Sequence, residues 1–131
     1  MGTGAMRTTL KITKALADRQ RVRILMMLRS GELCVCRIVA VLGLAPSTVS
    51  KHLSLLSDAG LLDCRKDGRW AYYRLPRGEA RKTVKPALKW LAACLAEDET
   101  ALRDTRRLAD VLAKAGESKG AGIDQRAIKE C

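Results

Sequence analysis

Apolar residues recur along this chain first at helical spacing, then at alternating spacing, then at helical spacing again. From about Met6 to Leu16, the residues Leu10, Ile12 and Leu16 anchor a short amphipathic helix. Asp18 is a good N-cap for a second helix, in which Val22, Leu25, Met26 and Leu28 recur beside Ile24. Arg19, Arg21, Arg23 and Arg29 stay polar, and Gly31 is a natural stop. Glu32 and Leu33 form a short extended link. A third helix is predicted from about Cys36 to Leu42, with Ile38, Val39, Val41 and Leu42 apolar and Gly43 ending it. Leu44-Ala45 makes a tight turn. Pro46 suits the first position of a fourth helix, where its missing N–H costs nothing. That helix runs to about Ala59, with Val49, Leu53 and Leu56 as its buried stripe, Leu55 near the edge and Gly60 closing it.

Two strand-like runs follow, Leu62 to Lys66 and Arg69 to Leu75, separated by Asp67-Gly68. That dipeptide predicts a hairpin with a type I′ turn, both central residues at positive φ. Pro76-Arg77-Gly78 breaks the second strand. Helical spacing resumes from Glu79 to Ala115. Val84, Leu88, Leu91 and Leu95 lie on one stripe, and Leu102, Leu108, Val111 and Leu112 on another. Pro86 is read as the start or a kink of the first of these helices, and Glu97-Asp98-Glu99 suits a second start near Asp98. The expected organisation is a flexible start over residues 1–7, one folded unit over 8–97, a C-terminal helix over 98–115 and a flexible tail over 116–131.

Three helices, a tight turn, a reading-type helix and a basic hairpin, in that order, predict a mainly α winged helix-turn-helix with a small β-hairpin wing. Charge sharpens this. Lys and Arg number 25 against 14 acids, a net charge of +11, which favours a polyanionic partner, most simply double-stranded DNA. The second helix of the turn presents Ser47, Thr48, Ser50, Lys51 and His52. Hydroxyls can donate to phosphates or base edges, and Lys51 can neutralise phosphate or reach guanine. Ser47 has an alternative as a helix-end hydrogen bond. His52 has two, as a structural histidine or a metal ligand. Arg65, Lys66 and Arg69 on the hairpin are the candidate backbone contacts of the wing, or simply a solvated turn. With no Phe and 3% aromatics, the core must be aliphatic and thin, and would gain from dimerisation.

The five cysteines carry the remaining chemistry. No secretory signal precedes them, and apolar runs such as Ile38 to Leu42 are too short for a membrane span. The expectation is a cytoplasmic protein with no membrane contact, where cysteine pairs serve metal or redox chemistry. Cys34 and Cys36 sit at the link before the third helix. Within a regular helix, positions i and i+2 point well apart, so a chelating Cys-x-Cys needs non-helical backbone or a distorted first turn. A helix N-terminus favours thiolate over thiol, and thiolates prefer soft ions. The readings of the pair are a sensor site, a redox switch, or small buried residues.

These residues resemble the ArsR/SmtB family of metal-responsive winged-helix repressors. The resemblance covers about residues 8–95. It rests on Ala15-Leu16-Ala17-Asp18, Arg21 and Ile24-Leu25, on Glu32-Leu33-Cys34-Val35-Cys36, on Ser47 through Leu53 into Leu56 and Ala59-Gly60-Leu61, and on Arg65 through Arg69 and Tyr72 through Leu75. It implies a homodimer with first and terminal helices at the interface, operator binding by the ligand-free form, and release on ligand binding. Glu-Leu-Cys-Val-Cys is similar to the arsenic-responsive and cadmium/lead-responsive branches. Arsenic-responsive relatives often carry a third cysteine where this chain has Val39; a third thiolate would come from Cys131, Cys64 or Cys94, or be replaced by an exogenous ligand. Residues 1–33 lack the N-terminal cysteines of the cadmium/lead branch, and residues 79–131 lack the histidines of the zinc branch.

The leading expectation is therefore a repressor of an arsenic-resistance operon, released from DNA by trivalent arsenic or antimony, with no organic cofactor. A thiol redox-sensing repressor of the same fold is one alternative. An arsenic-binding carrier or small enzyme without specific DNA binding is another, although no acid/base constellation, phosphate loop or nucleophile–His pairing supports catalysis.

Overall fold

Asp18 caps as the pattern asks: its carboxylate accepts from the backbone N–H of Gln20 at 2.8 Å and of Arg21 at 3.2 Å. It separates α1 (Ala5–Leu16) from α2 (Arg19–Met27), which tightens into a 3₁₀ turn over Leu28–Ser30 before Gly31. The computed structural model describes residues 4–115. The remaining elements are β1 (Leu33–Cys34), α3 (Val35–Leu42), α4 (Pro46–Asp58), β2 (Asp63–Asp67), β3 (Trp70–Arg74), α5 (Glu79–Cys94) and α6 (Glu99–Ala115). Pro46 stands at the start of α4, and Asp98 caps α6 by accepting from the Ala101 N–H at 3.0 Å.

The core is aliphatic. Ile24, Leu25, Leu28, Val35, Ile38, Val41, Val49, Leu53, Leu56 and Leu61 are fully buried, each contributing roughly 1.5–3 kcal/mol of transfer free energy. They come from α2, α3, α4 and the segment after α4, so the two helices of the helix-turn-helix are held as one body with α2.

Four expectations need correction. The sheet has three strands, order β1-β3-β2, all antiparallel. β1 is only two residues long, too short to leave an alternating pattern. The hairpin turn is not type I′: Asp67 pairs with Trp70, and positive φ falls on Gly68 alone. Gly68-Arg69 are thus the two central residues, with glycine first, the type II′ arrangement. Of the two readings of Pro86, the helix start is excluded, since α5 begins at Glu79 and Pro86 lies inside it. Finally, α1 begins at Ala5, and Leu10, read as a core anchor, is 52% exposed. Met6 and Trp90 are likewise exposed, as are Leu102 and Leu112 on α6.

α6 folds back on α2 and α3. Arg23 donates from Nε and Nη2 to both oxygens of Asp104, at 2.8 and 2.9 Å, and Asp104 is 3% exposed. Asp104 raises the pKa of Arg23 by accepting these bonds. Arg107 donates to the Ala40 carbonyl at 3.4 Å, joining α6 to α3. Among the described residues, no single helix is long and apolar enough to cross a membrane.

Candidate functional site

Cys34 is the last residue of β1 and the N-cap of α3, with extended backbone (φ −65°, ψ 143°); Cys36 lies in the first turn. The break between strand and helix turns the two side chains together, and the sulfurs are 2.9 Å apart. Their environments differ. Cys34 is 1% exposed, while Cys36 is half-buried. The shared hydrogen bond, then burial, push the Cys34 thiol well up. The same bond lowers Cys36 to about 6, helped by the charge of Arg37 and by backbone N–H groups at the helix start. Of the two, Cys36 is the more readily ionised and Cys34 the less.

The Cys34 side of this pair is tied to other elements. Cys34 is opposite Tyr72 on β3, and Arg65 on β2 is also opposite Tyr72. Arg65 stacks over the Tyr72 ring at 4.6 Å and grips Glu32, two residues before Cys34, with bonds of 3.1 and 2.6 Å. Those bonds hold the Glu32 carboxyl below its ordinary range. Of the three wing cations, Arg65 is thus engaged in joining the wing to the Cys pair. Lys66 and Arg69 are exposed at the tip without an ion-pair partner among the described residues.

On α4, Ser47, Thr48 and Lys51 are exposed and Ser50 half-buried. None of their side chains makes a hydrogen bond or ion pair to the described chain, which leaves their polar groups available to a partner. His52 is different. Its Nδ1 lies 3.4 Å from Arg21 Nη1 and 3.9 Å from Asp18 Oδ1. Arg21 donates as well to the carbonyls of Ala15 (2.7 Å) and Lys14 (3.2 Å), so His52 joins a cluster that locks α1, α2 and α4 together.

Residues 18–63 match the family described as bacterial regulatory protein, arsR family. The arsenic resistance transcriptional regulator ArsR1 of Pseudomonas putida is 40% identical over 101 residues, 76% of this chain and 77% of that protein. The chain belongs to the ArsR family. The arsenical resistance operon repressor of Escherichia coli is 43% identical over 67 residues, 50% of this chain and 57% of that protein. A homodimeric winged helix-turn-helix domain from Mycobacterium bovis, itself a possible ArsR-family regulator, superposes with a TM-score of 0.61 at 28% identity, covering 76% of this chain and 90% of that one. Family and fold are those of DNA-binding transcriptional regulators, not enzymes.

Within this ArsR-family protein the other cysteines stand apart. Cross-strand partners share a face of a sheet and successive residues alternate. Cys64, opposite Tyr73, therefore shares the face of Leu33, whereas Cys34 lies on the face of Tyr72 and Arg65. Cys64 is also two strands away, roughly 10 Å, and it is not among the free thiols. Cys94 is exposed on α5, and Cys131 lies outside the described residues. Among the described residues, no three or more His, Cys, Asp or Glu are grouped to hold a metal ion. Sequence reasoning missed Glu32 as the partner of Arg65; an acid beside a cysteine pair in so basic a chain was the available signal.

Proposed function

We propose that this ArsR-family protein is a homodimeric repressor of an arsenic-resistance operon, relieved when Cys34 and Cys36 bind trivalent arsenic or antimony. The observation that carries the reading is the Cys34–Cys36 contact at the β1–α3 junction. Soft thiolates suit a thiophilic centre, and Cys36 is the sulfur more readily ionised. The donor set fits two positions of such a centre. The third is left to Cys94 or Cys131, from either protomer, or to an exogenous thiol or solvent.

Ser47, Thr48, Ser50 and Lys51 enter the major groove, while Lys66 and Arg69 reach the flanking backbone. His52 keeps its structural cluster and lends at most an edge to the DNA. Chelation draws the first turn of α3 toward β1. Because β1 is paired to the wing and α3 packs on α4, the spacing between reading helix and wing changes, and the operator fit is lost. Exposed Met6 and Leu10 on α1 and Trp90 on α5 offer the apolar surface of the homodimer.

A transcriptional reporter placed behind the chain's own promoter tests this in cells. Arsenite induces the reporter severalfold with the wild type, and Cys34→Ser or Cys36→Ser keeps it silent. Equal induction in the variants would sink the proposal.

The close sulfur contact also favours a second reading, in which a peroxide oxidises the pair to a disulfide, the two thiols losing two electrons and two protons while the peroxide is reduced. Induction by peroxide but not by arsenite would select it.

A further inference from the structure

Six cationic side chains surround one open groove of about 330 Å³: Arg29, Arg74, Arg77, Arg81, Lys85 and Lys89. Arg81, Lys85 and Lys89 form one stripe of α5 at intervals of four residues; Arg29 comes from the turn after α2, and Arg74 and Arg77 from the end of β3 and the loop beyond. The carboxylate lining the groove is Glu32, and Arg65 already holds it. Arg74 reaches Glu32 only at 3.8 Å, and its Nε is buried with no hydrogen-bond partner. Arg29, Arg77, Arg81, Lys85 and Lys89 are exposed, and among the described residues none makes an ion pair within 4 Å, although Arg77 is near enough to help lower the Glu32 pKa.

So dense a set of like charges destabilises itself unless an anion shares the space. The four guanidinium groups present forks that match phosphoryl oxygens two at a time, and the lysines add point charges. The groove lies at the base of the hairpin, and the Gly68 tip, next to the proposed wing contacts Lys66 and Arg69, is five residues of ladder away, roughly 17 Å.

We propose that this groove binds a small polyphosphate, either an inorganic condensed phosphate or the phosphate chain of a nucleotide. Its phosphoryl oxygens take up Arg74 and the α5 stripe. Because Arg74 shares Glu32 with Arg65, occupancy is felt at the residue that ties the wing to the Cys pair. The site is independent of the arsenic reading and stands or falls separately.

Calorimetric titration of the full chain with inorganic tripolyphosphate, ATP and sulfate, at matched ionic strength, tests it. Saturable binding of tripolyphosphate at one per protomer is expected, with sulfate at least tenfold weaker. ATP binding as well as tripolyphosphate assigns the phosphate chain alone; ATP binding more tightly assigns a nucleotide. Arg81→Gln/Lys85→Gln weakens binding tenfold or more with an unchanged far-UV circular dichroism spectrum, and Lys89→Gln serves if the double variant fails to fold. Lys51→Ala leaves the affinity unchanged. No saturable binding, equal affinity in the α5 variants, or loss in Lys51→Ala would overturn the proposal. So would α5 variants that lower the salt dependence of duplex binding, since that makes the groove a DNA-backbone surface.

Discussion

At the scale of single residues, the decisive contrast is between Cys34 and Cys36. They are two positions apart, share a hydrogen bond, and yet sit in opposite environments, one sealed in the core and the other at a helix start beside Arg37. Cys36, lowered to about 6, is the more acidic of the two. Its folded value lies below the ordinary thiol value of about 8.5, so its ionisation favours the folded state. That contribution is full above the unfolded value and is lost as pH falls through about 6. Cys34, held up as the thiol, works in the other direction at high pH. Ultraviolet thiolate absorbance is expected to rise with a midpoint near 6 in the wild type and to lose that step in Cys36→Ser. A single midpoint near the ordinary value would show that the pair does not share its proton in this way. The lowered thiol of Cys36 also gives an incoming electrophile a readier nucleophile.

Among the elements, α6 is the one with the least expected role. Its buried Arg23–Asp104 pair and the Arg107 bond to Ala40 fasten it across α2 and α3, so the helix carrying Cys36 is braced from behind. Asp104→Ala takes both carboxylate acceptors from part-buried Arg23, which keeps only its bond to Gln20, a change expected to cost about 2–3 kcal/mol. Urea unfolding reads this as a lower midpoint. A loss under about 1 kcal/mol, within the range of an exposed pair, would mean that the pair does not hold α6.

Most of these elements were legible from sequence because each carries a local signal: Asp18 and Asp98 as caps, Pro46 at a helix start, and the stripe Val49, Leu53 and Leu56. The misreadings come from places where a distant partner decides. β1 exists only because Leu33 and Cys34 pair with Tyr73 and Tyr72, about forty residues on. The hairpin turn shifts by one residue because Asp67 stays paired to Trp70. Within the site, the Cys pair and the free cations of α4 and the wing tip were readable by residue type. The engagement of Arg65 by Glu32 and of His52 by Arg21 was not, because both partners are brought in by the fold.

For the whole molecule, an ArsR-family winged fold with net charge +11 owes much of its DNA affinity to phosphate contacts, and those are salt-dependent. A dimer places its two reading helices on half-sites about one helical turn apart, roughly 34 Å. Lys51→Ala is expected to weaken operator binding across sequences and to reduce the salt slope by about one unit per contact removed. An unchanged slope would place Lys51 outside the interface. The larger matter is whether α3, β1 and the wing act as a single device. Fluorescence anisotropy on duplex DNA from the promoter upstream of the chain's own operon, titrated with arsenite, asks this most directly. Arsenite is expected to release the wild type from that DNA, and to leave Cys34→Ser and Cys36→Ser bound. Wild-type affinity that does not change with arsenite would contradict it.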